Sequence, residues 1–128
     1  MTRFKLTFAA LILAQALHST EEIIFRLWES FAPARFISTA VSPADPQRGF
    51  IVLNILLVAL GAWCYFWPVR REWPIAHSIA WLWVVIETIN GIVHPLWAMR
   101  VGGYAAGVAT APILLVLALY LARQLIRK

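Results

Sequence analysis

Four apolar runs, each close to bilayer-crossing length and separated by short connectors that hold most of the prolines and arginines, occupy nearly the whole chain. A hydrocarbon core about 30 Å thick requires roughly 20 mostly apolar residues per helical crossing. The 128 residues therefore accommodate four crossings and leave nothing for a second domain. The expected architecture is an all-α, polytopic four-transmembrane-helix bundle: one domain over residues 1–128, with spans at about 4–28, 49–67, 74–97 and 107–125. A content of 62% hydrophobic against 13% charged residues matches a chain whose main solvent is lipid.

The punctuation between the runs agrees. Pro33, Pro43 and Pro46 lie in the stretch from Glu29 to Arg48, where they are expected to stop helices, with residues 36–41 lying along the membrane interface. Pro68 follows the second run, and Pro74 suits the first turn of the third. Gly91, Gly102, Gly103 and Gly107 fit close helix approach and tight turns. Cys64 has no partner in the chain, which excludes an intrachain disulfide and reads as a small buried apolar residue.

The formal charge of +5 is distributed as membrane topology requires rather than as a nucleic-acid surface, so nucleic acid is not an expected partner. With four crossings, both termini and the second connector share a side. That side collects Arg3, Lys5, Arg70, Arg71, Arg123, Arg127 and Lys128, against Arg26, Arg35, Arg48 and Arg100 on the other. The excess predicts a multi-pass protein of the inner (plasma) membrane with both termini cytoplasmic. Trp63, Trp67 and Trp73 then fall near the inner interface, and Trp28 and Trp97 near the outer one. A competing reading takes the basic start, the apolar stretch and Ala14-Gln15-Ala16 as a cleavable signal peptide. It would discard the helix that presents His18.

Ionisable groups inside a span cost roughly 2.5–3.5 kcal/mol each on insertion scales, so each asks for a reason. Glu21, Glu22 and Glu87 are half of the six acidic residues, and they lie on expected spans together with His18, His94, Asn90 and Asn54. His18 precedes Glu21 and Glu22 by three and four residues, and Glu87, Asn90 and His94 are spaced by three, four and seven, so each set forms a stripe on its helix. At about 1.5 Å per residue, His18 lies about 21 Å from the cytoplasmic end of the first helix, and Glu87, Asn90 and His94 about 20, 24 and 30 Å along the third. Asn54 and Thr110, counted from the outer ends of their own helices, reach similar levels. Two imidazoles and up to three carboxylates meeting in a bundle core make a site for a divalent metal, zinc or iron, with His18, Glu21, Glu22, Glu87 and His94 as candidate ligands. Plainer readings exist: Glu21 and Glu22 at the end of a shorter helix with Glu22 paired to Arg26, His94 at a helix end before Pro95, and Asn54 and Asn90 as interhelical hydrogen-bonding residues.

Three strings carry a resemblance. His18-Ser19-Thr20-Glu21-Glu22, Asn90-Gly91-Ile92-Val93-His94 and Tyr104-Ala105-Ala106-Gly107-Val108-Ala109-Thr110 resemble the HXXEE-domain family of small bacterial membrane proteins, over nearly the whole chain. The family's last motif usually reads Tyr-x-Pro-Gly-x-x-Thr, with proline where Ala106 stands, so this turn lacks the ring's constraint. The resemblance implies a membrane protein of unassigned activity and highlights His18, Glu21, Glu22, His94, Tyr104 and Thr110. The function expected from residues and resemblance together is a metal-dependent enzyme, hydrolase or oxidoreductase, acting on a lipidic or amphipathic substrate. In it a glutamate off the metal (Glu21, Glu22 or Glu87) serves as base, and Tyr104 and Thr110, with Asn54 and Asn90, contact substrate or cofactor. Alternatives are a metal-free acid–base enzyme of isomerase type using Glu87 and His94, an ion or metabolite carrier or sensor, and an assembly partner.

Overall fold

A computed structural model describes residues 2–127 and is all-helical, with no strand among the described residues. Lys128, one of the basic residues in the topology argument, lies outside them. Helix α1 covers Arg3–Ile24, α2 Leu27–Ser30, α3 Ala32–Val41, α4 Pro46–Cys64, α5 Ala76–Val101 and α6 Ala111–Ile126. The last turns of the α4 rod, Tyr65–Val69, widen into a π-helix that contains Pro68. Among the described residues, two helices are long and apolar enough to cross a membrane: Pro46–Val69, counting α4 and its π segment together, and Ala76–Val101; α6 is apolar but shorter.

Helix boundaries differ from the sequence reading for local reasons. The first helix ends at Ile24 rather than Trp28, because Arg26 takes a left-handed conformation (φ 56°) and the chain restarts as α2. Arg26 pairs with Glu29 at 2.5 Å and not with Glu22. The proline-rich connector holds a ten-residue helix, α3, since Pro33 sits in its first turn, where no N–H is needed; Pro46 likewise opens α4. Helix α5 runs through Pro95 to Val101, so His94 lies inside a helix and not at its end. The fourth helix begins at Ala111 instead of 107, and residues 107–110 form a turn.

The rods pack in the order α4, α1, α6, α5, with α3 lying along α4. Close approach of α5 and α6 depends on Gly91, where an added β-carbon would stand 2.6 Å from Leu115 Cβ. Helices α4 and α5 share no comparable seam among the described residues; the π segment closes against α1 and α5 at one end of the bundle only. That end is filled by an apolar core including Phe8, Leu11, Val69, Trp83, Leu114 and Leu121. A smaller cluster of Leu27, Trp28, Ala34, Phe50 and Ala106 caps the other end. Large apolar side chains also face outward on all four long rods, among them Leu13, Leu56, Leu82 and Val116. Between the two apolar clusters lies a layer of buried polar side chains.

Candidate metal centre

The buried polar layer begins with one face of α1. Gln15, His18, Ser19 and Glu22 follow at the three- and four-residue spacing that stacks side chains on a helix, and all four are buried. His18, fully shielded, sends its two ring nitrogens in opposite directions: Nδ1 lies 2.7 Å from Thr110 Oγ1, and Nε2 lies 3.1 Å from His94 Nε2 and 2.9 Å from Glu22 Oε1. The ligand atoms of His18, Glu22 and His94 all fall within 4.8 Å of one another, a grouping that can hold a metal ion.

Which nitrogen carries the proton follows from the neighbours. The Thr110 hydroxyl has one hydrogen, and the Glu21 carboxylate oxygen 2.7 Å away can only accept it. Thr110 Oγ1 must therefore accept from His18, which places a His18 proton on Nδ1 and, in the neutral ring, leaves a lone pair on Nε2. His94 is fixed the same way: its Nδ1 donates to the Ala106 carbonyl at 2.8 Å, so its Nε2 also bears a lone pair. Two imidazole lone pairs and a carboxylate oxygen thus face one point. Three acceptors at such distances repel unless a cation or a shared proton lies among them.

Glu21, next in sequence, is turned away from this point. Its Oε2 accepts from Tyr104 Oη at 2.5 Å, Gly107 N at 3.0 Å and Ala109 N at 3.2 Å, and its Oε1 from Thr110 N at 2.9 Å and Thr110 Oγ1. The backbone donors lie in the turn that leads into α6, whose N-terminal dipole also favours negative charge. Partial burial, and then the hydrogen bond to Glu21, push the Tyr104 hydroxyl above the ordinary tyrosine range. Gly107 is confined twice over. Its φ of 93° suits glycine, and a β-carbon there would lie 2.5 Å from His94 Nδ1 and 2.8 Å from His18 Cε1.

Glu87, fully buried on α5, is held by amides. Because a carboxylate only accepts, the Gln15 side chain is oriented with its nitrogen donating to Oε1 and Oε2 at 2.9 and 2.8 Å and its oxygen accepting from Ser19. Asn90 adds a donor at 3.3 Å. Asn54 Nδ2 donates to the Phe50 carbonyl of its own helix. Of the five residues expected to ligate a metal, His18, Glu22 and His94 converge, while Glu21 and Glu87 are satisfied by other partners.

Sequence reasoning did not single out Gln15, the Ala106 carbonyl or the contact of Gly107 with both rings. Gln15 carried a readable signal, lying three residues before His18 and seven before Glu22 on the same stripe. The turn carried little beyond the Gly-x-x-Thr spacing, because apart from the Thr110 hydroxyl its contributions are backbone groups.

A cavity of about 420 Å³ adjoins the centre and is lined by Glu22, His94, Asn54 and Asn90 together with apolar residues of α3, α4 and α5. The family model described as "protein of unknown function with HXXEE motif" matches residues 9–121. No curated protein and no solved structure matches the chain significantly.

Proposed function

The chain belongs to the HXXEE family, whose description assigns no activity, and we propose that it is a membrane enzyme whose metal centre, on His18, Glu22 and His94, acts on a lipidic or amphipathic substrate. The observation that carries this reading is the convergence of two Nε2 lone pairs and one carboxylate on a single buried point. Imidazole nitrogens about 2.0–2.1 Å from a tetrahedral zinc stand roughly 3.3 Å apart, close to the 3.1 Å between the two rings. Three protein ligands leave a coordination position open, as in catalytic rather than structural sites, and Glu22 and His94 border the cavity from which a substrate would approach.

Two histidines and one carboxylate are the ligand set of hydrolytic zinc sites and of the facial triad of non-haem iron oxygenases. A divalent ion held there would polarise a substrate oxygen and lower the pKa of bound water. The protein's share is orientation. Glu21, acting through Thr110, fixes the ring and tautomer of His18, and the Ala106 carbonyl does the same for His94, the arrangement that metal-binding histidines generally need. Glu87, held by Gln15 and Asn90, lies in the same buried layer with no part in ligation.

In the same reading, α1, α4 with its π segment, α5 and α6 all cross the bilayer, with both termini cytoplasmic. The outward-facing leucines and valines on every long rod and the uneven distribution of arginines support this. A polar centre enclosed by such a bundle is costly to insert, and charged groups kept at that cost commonly serve chemistry or ion handling.

The test is elemental analysis of protein purified without chelator. About one zinc or iron per chain is expected, lost in His18→Ala and His94→Ala. A wild-type protein free of transition metal, or alanine variants that keep it, refutes the centre. A second reading rests on the 3.1 Å between the two Nε2 atoms, also a hydrogen-bond distance: one proton shared by the two rings would make a metal-free acid–base pair. Activity that survives complete metal removal would select it.

A further inference from the structure

The cavity beside the centre lies in the gap between α4 and α5, the one neighbouring pair of rods without an extended seam among the described residues. Its rim is apolar and open: Ile37 of α3 and Ile89 of α5 are both about half exposed, at 51% and 55%. Its walls are apolar, with Leu53 and Leu57 on α4 and Val93 on α5. Its polar lining residues are Gln15, Glu22, Asn54, Asn90 and His94, of which all but Asn90 are buried, and among the described residues no lysine or arginine lines it. Two of the four arginines assigned to that end of the molecule, Arg26 and Arg35, border a separate surface hollow with Glu29 and Asp45.

We propose that this cleft admits and seats an uncharged lipid of single-chain width, which reaches the centre sideways between α4 and α5 and presents a hydroxyl, carbonyl or ester group to it. The proposal rests on the centre described above and specifies its substrate class. Three observations select this occupant. An apolar rim beside outward-facing leucines offers a chain a path from lipid that never crosses water. A volume of about 420 Å³ is at the small end of ligand sites, which accommodates one chain more readily than two. An anionic headgroup would be desolvated beside the Glu22 carboxylate with no lysine or arginine to pair it, whereas a hydroxyl or carbonyl oxygen can accept the second amide hydrogen of Asn54 or Asn90, the first being used on the Phe50 carbonyl and on Glu87.

The experiment uses the full chain in lipid nanodiscs, photolabelled with a diazirine-bearing fatty alcohol and, in parallel, with a diazirine-bearing phosphatidic acid; labelled residues are located by peptide mass spectrometry. Saturable labelling by the alcohol is expected at Leu53, Leu57 or Val93, exceeding that by the phosphatidic acid about tenfold. The rim variant Ile37→Trp/Ile89→Trp changes only half-exposed positions and is expected to cut this labelling about tenfold with metal content unchanged. Equal labelling by both probes, labelling spread over the outer faces of α5 and α6, or no effect of the rim variant would overturn the proposal. Labelling of the cleft in a wild-type protein that binds no metal would uphold the cleft and remove the centre. Full metal content with an unlabelled cleft would do the reverse.

Discussion

Glu21 and Glu22 are adjacent on one helix and both buried, yet they meet opposite surroundings. Glu21 faces the turn before α6 and is satisfied by five donors. Glu22 faces the cleft and has an imidazole nitrogen without a proton as its close partner. About 100° of rotation separates consecutive residues on a helix, and here that rotation separates a carboxylate that shapes the site from one that is available to a ligand. A charge fully met by hydrogen bonds orders what surrounds it, whereas one that faces lone pairs needs a cation or a shared proton.

The strongest way to break this distinction is at Gly107, which serves both sides: its N–H reaches Glu21 and its bare α-carbon makes room for both imidazoles. Gly107→Ala adds a β-carbon at positive φ into two rings, and destabilisation by more than about 2 kcal/mol is expected together with loss of metal. Thermal unfolding in detergent, read beside metal content, checks it. An unchanged melting temperature with metal retained would mean that the turn does not constrain the rings.

Next in size is the contrast between the two glutamines. Glu22→Gln removes a proposed ligand and should lower metal affinity by more than the roughly hundredfold that bounds outer-shell changes, with little change in melting temperature. Glu21→Gln keeps shape but turns amide hydrogens toward backbone donors, so a stability loss of about 1–3 kcal/mol is expected, with an affinity loss of about 10- to 100-fold transmitted through Thr110 and His18. Equilibrium metal competition and thermal unfolding on both variants separate the roles. If the two behave alike, the division between them is not real. Metal binding releases protons from its ligands, so metal affinity is expected to fall as pH falls and to recover as it rises. Metal retention across a pH series reads this directly.

How much of this was legible in the sequence divides along the same line. Periodicity put His18 and Glu22 on one stripe and His94 on a stripe with Glu87, because regular helices convert spacing into position, but the depth count paired His18 with Glu87 rather than with His94, the residue it meets. It did not distinguish the two glutamates, whose difference is set by the turn at residues 107–110 across the bundle. A turn acts through backbone N–H groups and a missing β-carbon, which leave only a glycine and a threonine in the sequence. The break at Arg26 was hidden for the same reason: a left-handed residue that is not glycine carries little signal. The prolines of the first connector were readable but ambiguous, since the property that ends one helix starts the next.

The smallest expected effect tests whether the Glu21 side is as redundant as its donor count implies. Tyr104 supplies one of five donors from a side chain that is half exposed. Tyr104→Phe leaves the carboxylate with four partners and removes no ligand, so a cost of about 1 kcal/mol in stability and at most a few-fold change in metal affinity are expected. The raised hydroxyl pKa also predicts that, of the three tyrosines, the one missing in this variant ionises above the ordinary range in alkaline difference spectra. A collapse of metal binding in Tyr104→Phe would place the tyrosine at the centre itself, and Glu21 would then have to be counted with Glu22 rather than against it.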